Sequence, residues 1–191
     1  VNKKDILVAS TGIIAKPLPL NKITSSVPEL AAGLSQSGIN KAKKAIMTTD
    51  TFSKEITVKF NLGNAPVTIC GIVKGAGMIA PNMATLLCFI FTDANISQGA
   101  LKTALKKAAD KSFNCITVDG CMSTNDTCLV MANASAGNPL INSASPSFEA
   151  FSHALNAVCL ELAKMIVRDA EGATKFIRIK VHGARTFKEA R

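Results

Sequence analysis

Residues 85–92 read TLLCFIFT, and as a β-strand this stretch carries apolar side chains on both of its faces. Such a strand is typical of a sheet that is covered on both sides. Ahead of it, residues 56–62 (ITVKFNL) alternate apolar and polar positions, which predicts a strand with one buried face. Gly63 and Asn64 supply a turn, and residues 67–73 (VTICGIV) predict a returning, more buried strand.

Helical patterns are interspersed with these strands. Ser97 can cap a helix with lysines on its outward face, and the apolar face of this helix consists of Leu101, Leu105, Ala108 and Ala109. Apolar residues at steps of three and four predict a second helix from about Ser147 to Asp169, and a shorter helix is expected over residues 27–39. Further strands are expected at residues 6–9, 115–118, 129–132 and 176–182, and a surface loop at 134–146. This order of elements predicts a layered α/β fold.

Composition excludes several classes of protein. The 191 residues are 48% hydrophobic and 18% charged, which excludes intrinsic disorder. The longest apolar stretch, residues 83–91, is interrupted by a threonine and is far too short to span a bilayer, so the sequence predicts a soluble protein without a membrane partner. The first residue is Val1 and no signal peptide follows it, so we expect the cut end of a larger or processed product.

The net charge of +9 raises the question of nucleic acid. The lysine clusters at 41–44 and 102–111 have helical spacing and are typical of solvated faces. The chain has no Trp or Tyr to stack on bases. We therefore expect no nucleic-acid partner, and anionic small substrates or an acidic partner segment fit the charge equally well.

Six cysteines could pair as three disulfides, but four of them lie inside apolar runs where a buried thiol is common. There is no C-x-x-C spacing and no secretory signal. The sequence therefore predicts a reducing compartment, free thiols and no metal site.

The common catalytic motifs are missing from this sequence. Its two histidines, His153 and His182, have no evident partners, and the G-x-G of residues 74–77 is a weak phosphate loop. Five short segments rich in Thr, Asn and Gly remain, each at the end of a predicted element. Any one of them is explained as a turn, but most of them also carry a lysine or carboxylate among small residues. These segments are residues 10–12, 47–51, 74–85, 117–126 and 169–175.

Thr85 stands directly before the apolar strand. Its hydroxyl would need a base, and an N-terminal threonine supplies one in its own α-amine, whose pKa is near 8. That chemistry requires cleavage of the Ala84–Thr85 bond. The alternative is that Thr85 is a β-forming residue at the start of a strand.

Five motifs in this order resemble the ornithine acetyltransferase family, the bifunctional acetyltransferases of arginine biosynthesis. The resemblance covers essentially the whole chain. The motifs are ASTGIIA (9–15), AIMTTDT (45–51), KGAGMIAPNMATLL (74–87), TVDGCMSTND (117–126) and DAEGATK (169–175).

The resemblance implies a self-cleaving precursor of the N-terminal-nucleophile type, with a layered α/β fold around a central mixed sheet. Cleavage at Ala84–Thr85 would leave residues 1–84 as the C-terminal part of an α segment and residues 85–191 as the N-terminal part of a β segment. The two segments would stay associated, in an assembly of two α and two β segments.

The reaction that the resemblance implies is ping-pong. N-acetylornithine acetylates Thr85, ornithine leaves, and glutamate takes the acetyl group. Thr11 and Gly12 match the family's oxyanion-hole pair, a role in which a hydroxyl and a backbone N–H are each worth about 3–4 kcal/mol. Thr48, Lys74 and Glu171 match substrate contacts, together with Thr85 itself. No cofactor is implied, although some members accept acetyl-CoA as a co-substrate.

Some positions depart from the family pattern. Cys121 stands where members usually carry Asp, and Ala170 stands where Gly is usual. The family also extends beyond both ends of this chain, so we expect further substrate contacts outside it. Glu171 has an alternative role as a surface ion-pair partner of Lys175, four residues later.

Two other functions remain open on the residues alone. One is an N-terminal-nucleophile amidohydrolase or aminopeptidase, and the other is a non-catalytic basic binding module. For the acetyltransferase we expect a cytoplasmic location, or a mitochondrial one in a eukaryote.

Overall fold

A computed structural model of the protein describes residues 2–80, 86–121, 123 and 126–190. Four strands form one sheet in chain order: β1 (Lys54–Leu62), β2 (Ala65–Lys74), β3 (Leu87–Thr92) and β4 (Thr127–Ala132). The pairs β1–β2 and β2–β3 are antiparallel, whereas β3–β4 is parallel. The central mixed sheet is therefore confirmed.

The β1–β2 hairpin follows from local sequence. Leu62 pairs with Ala65 across a two-residue turn in which Gly63 has a φ of 60°, a left-handed value that glycine adopts without steric cost. The alternation predicted for β1 is present, because its odd positions 55–61 are exposed and its even positions face the core. The hairpin ends at Lys74, which brings the KGAG motif to one edge of the sheet.

One long helix, α4 (Ser147–Arg168), packs on this sheet, and a second, α3 (Gln98–Asp110), packs on α4. Helix α3 (Gln98–Asp110) begins after Ser97, whose side chain accepts a hydrogen bond from the Ala100 N–H, as predicted. Helix α4 (Ser147–Arg168) packs on β1, β2 and α3. By length and composition α4 could also cross a membrane, but here it is the central core helix. Its buried residues are Phe148, Phe151, Leu155, Val158, Cys159, Leu162, Ala163 and Ile166.

Two predictions about packing need correction. The buried face of α3 consists of Ala100, Ala104 and Ala108, so that Ala108 is the predicted residue that is buried, while Leu101, Leu105 and Ala109 are half-buried. Short alanine side chains allow α3 to approach α4 closely. The second face of β3 is also less covered than expected, since Phe91 remains 37% exposed and Phe89 is half-buried.

The elements near both ends also differ from prediction. Instead of one helix over 27–39 there are two, α1 (Leu20–Ala32), which ends at Gly33, and α2 (Ile39–Ala45), which follows Gly38. Residues 6–8 and 176–182 are exposed, and neither 6–9 nor 176–182 forms a strand, because no described strand lies beside them to accept their hydrogen bonds. A 3₁₀ turn, Phe113–Cys115, precedes residues 116–118 in place of the predicted strand. A short helix, α5 (Phe187–Ala190), was not predicted.

Candidate active site

One cavity of about 450 Å³ gathers residues from all five motifs. Its lining includes each described residue to which the sequence assigned a role, namely Thr11, Gly12, Thr48, Lys74 and Glu171. Ala84 and Thr85, the predicted cleavage site and nucleophile, lie outside the described residues. Leu86, the next residue along the chain, lines the cavity.

Lys74 lies at the end of β2 with only 2% of its surface exposed. Burial lowers the pKa of its ammonium group, and the opposite charges of Asp50 and Asp126 offset this effect only in part. A buried cation that faces a cavity is suited to bind a carboxylate of a small substrate, because little water competes for it.

Glu171 reaches the cavity from the segment after α4. Its backbone N–H donates to the Ala76 carbonyl at 2.8 Å, which joins this segment to the KGAG motif. The Glu171 carboxylate lies against Gly77, where a Cβ would be only 2.7 Å from its nearer oxygen. The Glu171 side chain therefore fits in this position because residue 77 has no side chain. No ion pair among the described residues joins Glu171 to Lys175. The carboxylate is thus available to an ammonium group in the cavity.

Beneath the cavity lies a buried ion cluster that the sequence analysis missed. The Lys54 ammonium donates to Asp50 Oδ1 at 2.6 Å and to Asp169 Oδ2, and Lys54 is fully buried. Asp169 also accepts hydrogen bonds from the backbone N–H and the hydroxyl of Thr51. The alternation of β1, continued back from Ile56, places Lys54 on the buried face. This position in the alternating pattern could have indicated from the sequence that Lys54 is buried.

Asp50 links this cluster to two of the motifs. Its carboxylate accepts from the Gly75 N–H at 2.7 Å and from the Thr48 N–H at 3.1 Å. Burial raises the pKa of Asp50, but the hydrogen bonds from Gly75, Lys54 and Thr48 outweigh burial and leave the pKa below its ordinary value. Burial also raises the pKa of Asp169, but the hydrogen bonds from Lys54 and Thr51 outweigh burial and leave this pKa below its ordinary value.

Two further aspartates hold the chain on either side of residues 81–85. Asp119 accepts from the N–H groups of Met78 at 2.6 Å and Ile79 at 2.9 Å. Asp126 accepts from the Leu86 N–H at 3.1 Å, one residue after Thr85. Burial raises the pKa of Asp126, and the Leu86 N–H and the charge of Lys74 only partly offset this. Both aspartates belong to the TVDG and STND sequences of one motif, where they had been assigned no role.

The cysteines differ in their exposure to solvent. Cys121, which stands where the resembling family usually has Asp, lines the cavity and is exposed, and its N–H donates to Asp119 at 3.1 Å. Cys88 and Cys159 are buried, and burial raises the pKa of both thiols. A buried thiol with a raised pKa is a packing residue rather than a nucleophile.

The chain is similar to known proteins over its whole length. The model of the ArgJ family matches residues 1–191. The chain is 52% identical over 184 residues to the arginine biosynthesis bifunctional protein ArgJ of Symbiobacterium thermophilum, a match that covers 96% of this chain and 46% of that protein. It is 50% identical over 198 residues to the mitochondrial ArgJ protein of Candida tropicalis, covering all of this chain and 49% of that protein.

Among solved structures, the crystal structure of arginine biosynthesis bifunctional protein argJ from Bacillus halodurans is similar to part of the chain. The match has 48% sequence identity and a TM-score of 0.44, and it covers 46% of this chain and 41% of that one. The chain spans about half the length of the curated relatives that it matches.

Proposed function

This chain belongs to the ArgJ family over residues 1–191, and on that basis we propose that it forms part of a glutamate N-acetyltransferase of arginine biosynthesis. The enzyme moves an acetyl group from N-acetylornithine to glutamate in two half-reactions. Thr85, freed by cleavage of the Ala84–Thr85 bond, is the residue that carries the acetyl group between them.

The observation that supports this function most is the shared cavity. Thr11, Gly12, Thr48, Lys74 and Glu171 come from four separate sequence motifs, yet all five line the same space. The space holds a buried cation and a carboxylate, which suits a substrate that carries both a carboxylate and an ammonium group. N-acetylornithine has that pair of charges, because its α-amine is acetylated and its δ-amine is free.

In the proposed chemistry the α-amine of Thr85 removes the proton from its own hydroxyl, and the hydroxyl oxygen attacks the acetyl carbonyl. The Thr11 hydroxyl and the Gly12 N–H stabilise the negative charge that develops on the carbonyl oxygen of the acetyl group. As the intermediate collapses, the protonated α-amine of Thr85 gives its proton to the departing nitrogen, which releases ornithine and leaves an acetyl ester on Thr85. The amine of glutamate then attacks this ester, and free Thr85 is restored.

The proposal extends to assembly, co-substrate and location. After cleavage, the segment ending at Ala84 and the segment starting at Thr85 stay associated through the sheet, because β2 and β3 pair over six residues. Two copies of each segment make up the enzyme. Acetyl-CoA is a second acetyl donor to be tested, and the enzyme resides in the cytoplasm or, in a eukaryote, in the mitochondrion.

An exchange assay tests the function. The protein, expressed from its complete gene, is incubated with N-acetylornithine in the presence and absence of glutamate, and acetylglutamate, ornithine and acetate are quantified. We expect acetylglutamate to form only with glutamate present, and Thr85→Ala to abolish both cleavage and transfer. Retained turnover in Thr85→Ala would overturn the role of Thr85. Acetate release at the same rate without glutamate would instead favour an amidohydrolase, and salt-sensitive RNA binding without turnover a basic binding module.

A further inference from the structure

The described part of the chain buries four charged side chains, which are Asp50, Lys54, Lys74 and Asp169. All four belong to the segments around the cavity, and none lies in the apolar core between α4 and the sheet. Removing a charge from water costs several kcal/mol even after relaxation, and a pair rarely gains more than a well-packed apolar pair would. A cluster of this kind therefore calls for a role other than stability.

The hydrogen bonds of the cluster converge on the Lys54 ammonium. On one side the Lys54 ammonium donates to Asp50, whose carboxylate also accepts hydrogen bonds from the backbone N–H groups of Thr48 and Gly75. On the other side it donates to Asp169, whose carboxylate also accepts from the Thr51 N–H. Asp169 precedes Glu171 by two residues. One buried cation thus connects the three segments that supply Thr48, Lys74 and Glu171 to the cavity.

The charges of the cluster also act on the substrate contacts. Lys54 and Lys74 together balance the carboxylates of Asp50 and Asp169, so the four groups are neutral as a set when all are ionised. Asp50 favours the charged form of Lys74 and Lys54 opposes it. A change at Lys54 therefore alters both the position and the charge state of groups that face the substrate.

We propose that Lys54 is a positioning residue which, through Asp50 and Asp169, fixes Thr48, Lys74 and Glu171 as one set that recognises the opposite charges of an amino-acid substrate. This inference rests on the proposed function and deepens it. Lys54 itself touches no substrate, since its side chain is fully buried and bonded to the two carboxylates. Lys54 affects substrate discrimination, because Thr48, Lys74 and Glu171, which it positions, are the residues that contact the charged groups of the substrate.

The test compares N-acetylornithine with N-acetylnorvaline, the same molecule without the terminal amine. The ratio of their kcat/KM values measures recognition of the ammonium group, and it does not depend on how much of the protein is active. We expect Lys54→Met to lower this ratio by about tenfold or more, the loss typical of a misplaced contact to a charged group. Glu55→Gln is the matched control, because Glu55 is the next residue on β1 but points to solvent, where it pairs with Lys43.

Each outcome decides the question. A lower ratio in Lys54→Met with an unchanged ratio in Glu55→Gln is the expected result. An unchanged ratio in Lys54→Met, with less active protein or a lower melting temperature, would overturn the proposal and leave Lys54 a purely structural residue. If Lys54→Met fails to fold, Asp50→Asn is measured by the same ratio, and a wild-type ratio there would equally overturn it.

Failure of the function itself has a different signature. In that case the wild-type protein and Glu55→Gln would also form no acetylglutamate, and the positioning role would be overturned with the function. Exchange activity in the wild type, together with an unchanged ratio in Lys54→Met, would remove the positioning role alone.

Discussion

Replacing Gly77 with alanine should weaken the binding of N-acetylornithine and leave the fold almost unchanged. A Cβ at this position would lie 2.7 Å from Glu171 Oε1 and 2.8 Å from its Cδ, whereas ordinary contact begins at 3.4 Å. Gly77 has no left-handed φ, so alanine fits its backbone. Because Glu171 is exposed and its carboxylate is the far end of a flexible side chain, the carboxylate moves and the backbone stays.

The expected loss follows from that displacement. Restoring 3.4 Å from 2.7 Å requires the oxygen to retreat by 0.7 Å. If its contact to the substrate ammonium lengthens from about 2.8 to about 3.5 Å, Coulomb's law at an effective dielectric constant of about 20 gives a loss of about 1.2 kcal/mol. That corresponds to a rise of about sevenfold in the KM for N-acetylornithine, if KM reports binding.

A double-mutant cycle shows whether the loss acts through Glu171. The KM for N-acetylornithine is measured for Gly77→Ala, for Glu171→Ala and for the double variant, with the melting temperature of each. We expect Gly77→Ala to have no further effect once Glu171 is alanine. Gly99→Ala is the control, because nothing lies within 4 Å of a Cβ at that position. An equal rise in KM in the Glu171→Ala background, or no rise at all, would refute the reasoning.

Four other results are expected. Gly71→Ala should lower the free energy of unfolding in urea by about 1–3 kcal/mol, since its Cβ would lie 2.8 Å from Leu162 Cδ1 in the core. Ser97→Ala should cost about 1 kcal/mol in the same measurement through loss of the α3 cap. The lowered pKa of Lys74 predicts that KM rises with pH below the 10.5 of an ordinary lysine, and that Lys74→Arg moves the rise to higher pH. The lowered pKa of Asp50 means that its stabilisation is complete above pH 3.8 and is lost as pH falls further, so Asp50→Asn should flatten the acid side of the stability profile.

The parts of the fold that the sequence predicted well are those fixed by neighbouring residues. The β1–β2 hairpin depends on an alternating pattern and a two-residue turn, and α4 depends on apolar steps of three and four, so both lie close to their predicted bounds. Residues 6–9 and 176–182 have strand-like composition, but a strand also needs a hydrogen-bonded neighbour, and composition does not reveal whether one is present.

The site divides in the same way. Thr11, Thr48, Lys74 and Glu171 were assigned from the family resemblance, and their roles stay predictions, although all four line one cavity. The bonds among Asp50, Lys54 and Asp169 were not predicted, because Lys54 and Asp169 are 115 residues apart and only the fold brings them together. The phase of β1 would have indicated a buried lysine, although not its partners.

The most direct test of the account is to trap the acetyl group on the protein. The protein is mixed with N-acetylornithine without glutamate, quenched in acid, and its segments are weighed by mass spectrometry under denaturing conditions. The account predicts a segment that begins at Thr85 and carries the added mass of one acetyl group, which disappears when glutamate is supplied before the quench. An uncleaved chain that transfers acetyl to glutamate, or an acetyl group attached at any residue other than Thr85, would contradict it.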